Sequence, residues 1–169
     1  MAERVLRLRL DQLTRGAEAF SLSSAGVRAL AGHPMDASSA AELERIGGDP
    51  AGFVSAQLTA SMVESAGLVL TATVDLRSRV LAESPRALRR TFTLREFAAL
   101  VADAEPASDP VELVAAAAQR RGRGSVAEYD LPDPIGRPAP VHREVADLVE
   151  ESSSTIARAL AASVGSPAP

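Results

Sequence analysis

The apolar run Leu68-Val69-Leu70-Thr71-Ala72 constrains this chain more than any other segment. It does not alternate apolar and polar positions, and it is too short for a helix. It therefore reads as a strand buried on both faces, the kind found in parallel sheets with helices on either side. Two more segments fit as strands. Phe20-Ser21-Leu22-Ser23-Ser24 alternates and ends at Ala25-Gly26, and Arg90-Thr91-Phe92-Thr93-Leu94 follows later.

Helices are predicted between and around these strands. The first covers residues 1–13, with Leu6, Leu10 and Leu13 on one face and Val5 and Leu8 widening it. Asp36 or Ser38 caps a helix from about 40 to 46 that Gly47-Gly48 stops. Thr59 caps a short helix reaching about 65, and a further helix runs from about 74 to 83 until Ser84-Pro85. Others are expected over about 94–104, 111–120 and 141–162, the last opened by Pro140. Residues 103–110 form a connector, Arg121-Gly122-Arg123-Gly124 a loop, and Asp130-Leu131-Pro132-Asp133-Pro134-Ile135-Gly136 a Pro-fixed turn. The alternation of strands and helices predicts an α/β domain over 1–164 and a disordered tail over 165–169. Residues that act in such sheets gather at the carboxyl ends of the strands.

Composition narrows the function classes. With 46% hydrophobic but only 3% aromatic residues, the core must be built from Leu, Val and Ala. A net charge of −4 gives no basis for nucleic-acid binding. No stretch is long and apolar enough for a membrane span, so neither nucleic acid nor membrane is expected as partner and a cytoplasmic location is the plain reading. The absence of Cys removes disulfides, thiolate metal sites and cysteine nucleophiles from these 169 residues. His33 and His142 are far apart in sequence and read as surface residues, so no metal site and no cofactor are expected. Arg120, Arg121 and Arg123 read as a solvated basic loop.

The order of several short motifs resembles the low-molecular-weight protein tyrosine phosphatases. The matching pieces are Met1-Ala2-Glu3 with Leu6, Ser24-Ala25-Gly26, then Gly32, Pro34 and Asp36. Gln57-Leu58-Thr59, Leu68-Val69-Leu70-Thr71 and Phe92-Thr93-Leu94-Arg95-Glu96-Phe97 follow, and Asp130 to Gly136 ends the series. The resemblance reaches to about residue 160. It implies a three-layer α/β domain with a short parallel sheet flanked by helices.

In that family a first strand runs into a phosphate-binding loop, C-x-x-G-x-x-C-R-[ST]-P, placed directly ahead of the Met-Ala-Glu motif. The resemblance therefore implies that the first central strand, the nucleophilic Cys and the phosphate-clamping Arg are missing from this sequence. No Ser, Thr, Asp or Asn is available to cap the first helix, which agrees with an element expected ahead of it. The family's general acid, the Asp of an Asp-Pro pair, maps onto Asp133. Ser24 matches a supporting Ser beneath the phosphate loop. Leu30 and Ile135 fall where other members carry aromatic pocket walls, which leaves a preference for aryl phosphates open. Asp130 reads as a turn residue. Arsenate-reducing relatives relay electrons through extra cysteines that this chain lacks.

Two readings follow. In the first, the protein is a cysteine-phosphate phosphomonoester hydrolase acting on a phosphorylated protein or a small phosphate ester, inactive as written because its nucleophile loop is absent. In the second, it is a catalytically dead binding or regulatory module with a partner covering the open sheet. Either way the sheet is expected to be incomplete and the chain unstable. Four or five large apolar side chains, each worth about 1.5–3 kcal/mol when buried, would be lost from a domain whose net stability is about 5–15 kcal/mol.

Overall fold

The computed structural model describes residues 1–14, 19–105, 107–122 and 129–164. Seven α-helices and two strands follow in the order α1 (Ala2–Leu13), α2 (Ala37–Arg45), α3 (Ala60–Ser65), β1 (Val69–Thr71), α4 (Val74–Glu83), β2 (Thr91–Thr93), α5 (Leu94–Ala102), α6 (Pro110–Arg120) and α7 (Ala139–Ser163). A 3₁₀ turn over Pro85–Arg90 links α4 to β2. β1 and β2 are parallel, with Val69, Leu70 and Thr71 opposite Thr91, Phe92 and Thr93. The predicted tail, residues 165–169, lies outside the described residues, as does Arg123.

Local chemistry accounts for most of the helix starts. The side chains of Asp36, Thr59, Thr73, Thr93 and Asp109 each accept a hydrogen bond from the N–H three residues on. Each satisfies one of the donors that a helix start leaves free. Thr93 and Glu96 form a reciprocal capping box that turns β2 directly into α5. No side chain caps α1. Gly47 ends α2 at φ +85°, a conformation that side-chain-bearing residues rarely adopt.

Two hydrophobic clusters lie on opposite faces of the sheet. The larger joins α1, α2, α5, α6 and α7 over Phe92, Phe97 and the inner side chains of β1, Leu68, Leu70 and Ala72. The smaller gathers Val63, Val80 and Ala87, with Leu58, Val69 and Leu81 against them. Val69 and Leu70 thus point to opposite faces, as strand geometry requires. Phe92 and Phe97 pack as a tilted pair with ring centroids 5.0 Å apart, and both are fully buried.

Four expectations are corrected. Residues 20–24 form no strand among the described residues, because the sequence pattern is present but no backbone lies beside it to complete a ladder. The chain first pairs at Gly26, through an isolated parallel bridge to Gln57. β1 is only half-buried at Val69 and Leu70 for the same reason, since one of its edges is open. Leu13 ends α1 nearly half exposed instead of sharing the buried face of Leu6 and Leu10. His142 is not a surface residue. It is 5% exposed within the buried stripe of α7, and its Nδ1 has no partner.

Candidate active site

The carboxyl end of β1 is where the sequence-predicted residues are anchored. On one side, Ser24 Oγ donates to Glu3 Oε2 at 2.6 Å. Arg7 bonds Glu3 at 3.2 Å and the Leu22 carbonyl at 2.7 Å, tying the segment 20–24 to α1 through side chains alone. Burial works against the charged form of Glu3, but the Ser24 hydroxyl and the Arg7 guanidinium outweigh it. The carboxyl is held below its ordinary value. Ser24 therefore engages the first turn of α1.

On the other side, the Asp-Pro turn is fastened to the sheet. Leu131 donates its N–H to the Ala72 carbonyl at 2.9 Å, and Asp130 Oδ1 accepts from the Val74 N–H at 2.7 Å. Asp130 is thus more than a turn residue. It satisfies the first free donor of α4, while Thr73 satisfies the third at Leu76. Arg95 reaches the Asp130 carbonyl at 3.4 Å. Asp133 is exposed, and its carboxylate accepts from the Ile135 N–H at 3.0 Å, which fixes the turn locally.

The loop 26–33 is clamped by two side chains that the sequence did not single out for that role. Gln57 accepts from the Ala29 N–H at 3.1 Å and donates to the Val27 carbonyl at 2.9 Å. Ser55 bonds both the Leu30 carbonyl and the His33 N–H. Leu30 is held outward, 74% exposed, and Ile135 is 62% exposed. Both present an aliphatic surface to solvent.

Between these parts runs a cleft. Its carboxyl-end portion, about 330 Å³, is lined by Glu3, Ser24, Gly26, Val69, Thr71 and Ala72 among others. Its amino-end portion, about 620 Å³, lies between Phe20–Leu22 and Gly67–Leu68. Leu6 and Leu22 line both. Ser24 borders the cleft, whereas Leu30, Asp133 and Ile135 stand outside its lining. The structure therefore joins Ser24 to α1, and holds the turn that carries Asp133 at Ala72 and Val74 through Leu131 and Asp130.

Solved structures share this arrangement across almost the whole chain. The tyrosine phosphatase AmsI of Erwinia amylovora superposes with a TM-score of 0.69 at 18% identity, covering 94% of this chain and 82% of its own. The low-molecular-weight protein tyrosine phosphatase of T. tengcongensis gives 0.69 at 20%, with 92% and 86% covered. The fold is that of the low-molecular-weight protein tyrosine phosphatases. The YwlE arginine phosphatase of Geobacillus stearothermophilus also has this phosphatase fold, at TM-score 0.68 and 23% identity over 93% of this chain and 80% of its own. No family model and no curated protein sequence matches.

Other parts of the molecule offer less. Among the described residues no three His, Asp or Glu side chains converge to hold a metal ion. No helix is long and apolar enough to cross a membrane. Arg121 corrects the reading of a solvated basic loop. It is packed over the Phe92 ring at 4.1 Å and bonds Glu96 at 2.9 Å and the Thr91 carbonyl at 2.6 Å. Glu96, 4% exposed, also pairs with Arg77 at 2.7 Å. The T-x-x-E spacing of Thr93 and Glu96 signals the cap, but nothing local signals the two arginines.

Proposed function

We propose that this chain is the scaffold of a phosphomonoester hydrolase of the low-molecular-weight phosphatase type. Asp133 is its general acid, and its Cys and Arg come from a strand-and-loop segment that is not among these 169 residues. One observation carries the reading: the Asp-Pro turn is fastened to the carboxyl end of β1 through Asp130–Val74 and Leu131–Ala72, while α1 starts without a side-chain cap. A helix start with free N–H groups favours a bound phosphate and a nearby thiolate. The exposed Asp133 of that turn supplies the proton.

The chemistry runs in two steps. The thiolate attacks phosphorus while Asp133 protonates the departing oxygen. Water then attacks the phosphocysteine, and Asp133 takes up its proton. The substrate is a phosphorylated protein or a small phosphate ester. The aliphatic surface of Leu30 and Ile135 supports alkyl as well as aryl esters. As written, the chain has no nucleophile and is inactive toward phosphate esters.

The test is the native protein purified from its source. An intact mass above 17.6 kDa by about fifteen or more residues, with p-nitrophenyl phosphate turnover that Asp133→Asn lowers by about 10²–10⁴-fold, is the expected outcome. A mass matching residues 1–169 with no turnover would overturn the enzymatic reading in favour of a binding module. Turnover by the 169-residue chain itself would overturn the assignment of the nucleophile.

A further inference from the structure

The 3₁₀ turn over Pro85–Arg90 divides into three ridges, because residues three apart line up in a helix of three residues per turn. Ala87 and Arg90 form the inner ridge. Ala87 is fully buried, and the half-buried Arg90 donates to the Val63 carbonyl at 3.4 Å. The other two ridges face solvent. Arg86 and Arg89 make a basic one, both exposed, and Pro85 and Leu88 make an apolar one, with Leu88 54% exposed.

Among the described residues neither Arg86 nor Arg89 pairs with a carboxylate. The support beneath them adds positive charge. Arg121 donates to the Leu88 carbonyl at 3.1 Å and shares the one carboxylate of Glu96 with Arg77. Like charges on one ridge, about 6 Å apart along the turn, repel each other, and an anion beside both removes that cost. The chain as a whole carries a net charge of −4. A long polyanion such as nucleic acid is therefore repelled beyond the turn, whereas a short acidic segment meets only the ridge.

We propose that the Pro85–Arg90 turn docks a short acidic segment of a partner protein, extended and alternating acidic with apolar residues. Laid over the groove between the two exposed ridges, such a segment sends successive side chains to either side. Its acidic residues recur about every 6.6 Å, close to the spacing of Arg86 and Arg89, and its apolar residues cover Pro85 and Leu88. The turn leads into the amino end of β2, whereas the Asp133 turn is held at the carboxyl end of β1. The two strands are parallel, so these are opposite ends of the sheet. The site therefore tethers a partner away from the phosphate chemistry. It goes beyond the hydrolase reading and does not depend on it.

The test uses the native full chain and the labelled peptide Gly-Asp-Leu-Asp-Leu-Asp-Gly. Fluorescence anisotropy measures binding, and amide NMR shifts locate it. Saturable one-to-one binding is expected, with shifts at Arg86 to Arg90 and a loss of affinity as salt rises from about 0.1 to about 1 M. Arg86→Gln should weaken binding about two- to fivefold, and Arg86→Gln with Arg89→Gln about fourfold or more. Both side chains are exposed, so the urea midpoint should not move, which separates lost docking from lost folding. Arg86 is outside the lining of the cleft, so its effect also separates the ridge from the cleft. Equal binding by the rearranged peptide Gly-Asp-Asp-Asp-Leu-Leu-Gly, no binding at about 1 mM, or shifts only elsewhere would overturn the proposal. So would tighter binding at the same amides by a single-stranded oligonucleotide or by anionic phospholipid vesicles, which would assign the ridge to phosphate groups. Peptide binding with no p-nitrophenyl phosphate turnover retains the docking site and rejects only the chemistry, and turnover without peptide binding does the reverse.

Discussion

Glu96 is the residue on which most of the buried polar structure depends. Its carboxylate meets Arg77, Arg121 and the backbone N–H of Thr93, and Arg121 in turn bonds the carbonyls of Leu88 and Thr91. Removing one partner from such a set leaves buried charge uncompensated. Glu96→Ala should therefore cost about 3–5 kcal/mol, read as a lower urea midpoint. Glu3 makes a pH-dependent contribution. Its carboxyl lies below its ordinary 4.5, so the stability it adds is present above that value and lost as the pH falls through the folded-state value. Ser24→Ala should move the Glu3 titration upward, measured by NMR. No upward movement would deny Ser24 its part in holding that charge.

At the scale of elements, short-range signals translate into measurable caps. Thr93→Ala removes half of the capping box of α5 and should cost about 1 kcal/mol in a urea unfolding series. Asp130 acts between elements, because it holds the Asp-Pro turn against the first turn of α4. Asp130→Ala should speed hydrogen exchange at Val74 and Leu131 while leaving the interior of α7 protected. Unchanged exchange at both amides would mean that Leu131–Ala72 alone fixes the turn.

The molecule as a whole is a helical shell around an under-filled sheet. Its two hydrophobic clusters lie on opposite faces of a two-stranded sheet, and β1 contributes Leu70 to one and Val69 to the other. A sheet in that state should unfold at low temperature and with poor cooperativity. Calorimetry of the 169-residue chain checks this. A single sharp transition well above room temperature would contradict it.

The sequence by itself determined the elements whose causes are local. The caps at Asp36, Thr59 and Thr93 and the apolar run of β1 act within a few residues of themselves. The turn at Asp133-Pro134 was legible from Asp-Pro chemistry, and Asp133 holds it through the Ile135 N–H. The extent of α7 was also legible from Pro140 onward, but the burial of His142 within its apolar stripe was not. Only the tertiary structure decided that Phe20 to Ser24 is not a strand, that Arg121 is bound to Glu96, and that Asp130 caps α4 from 56 residues away. A ladder, an ion pair and a distant cap each need a second piece of backbone or charge to arrive from elsewhere. No local pattern records whether it does.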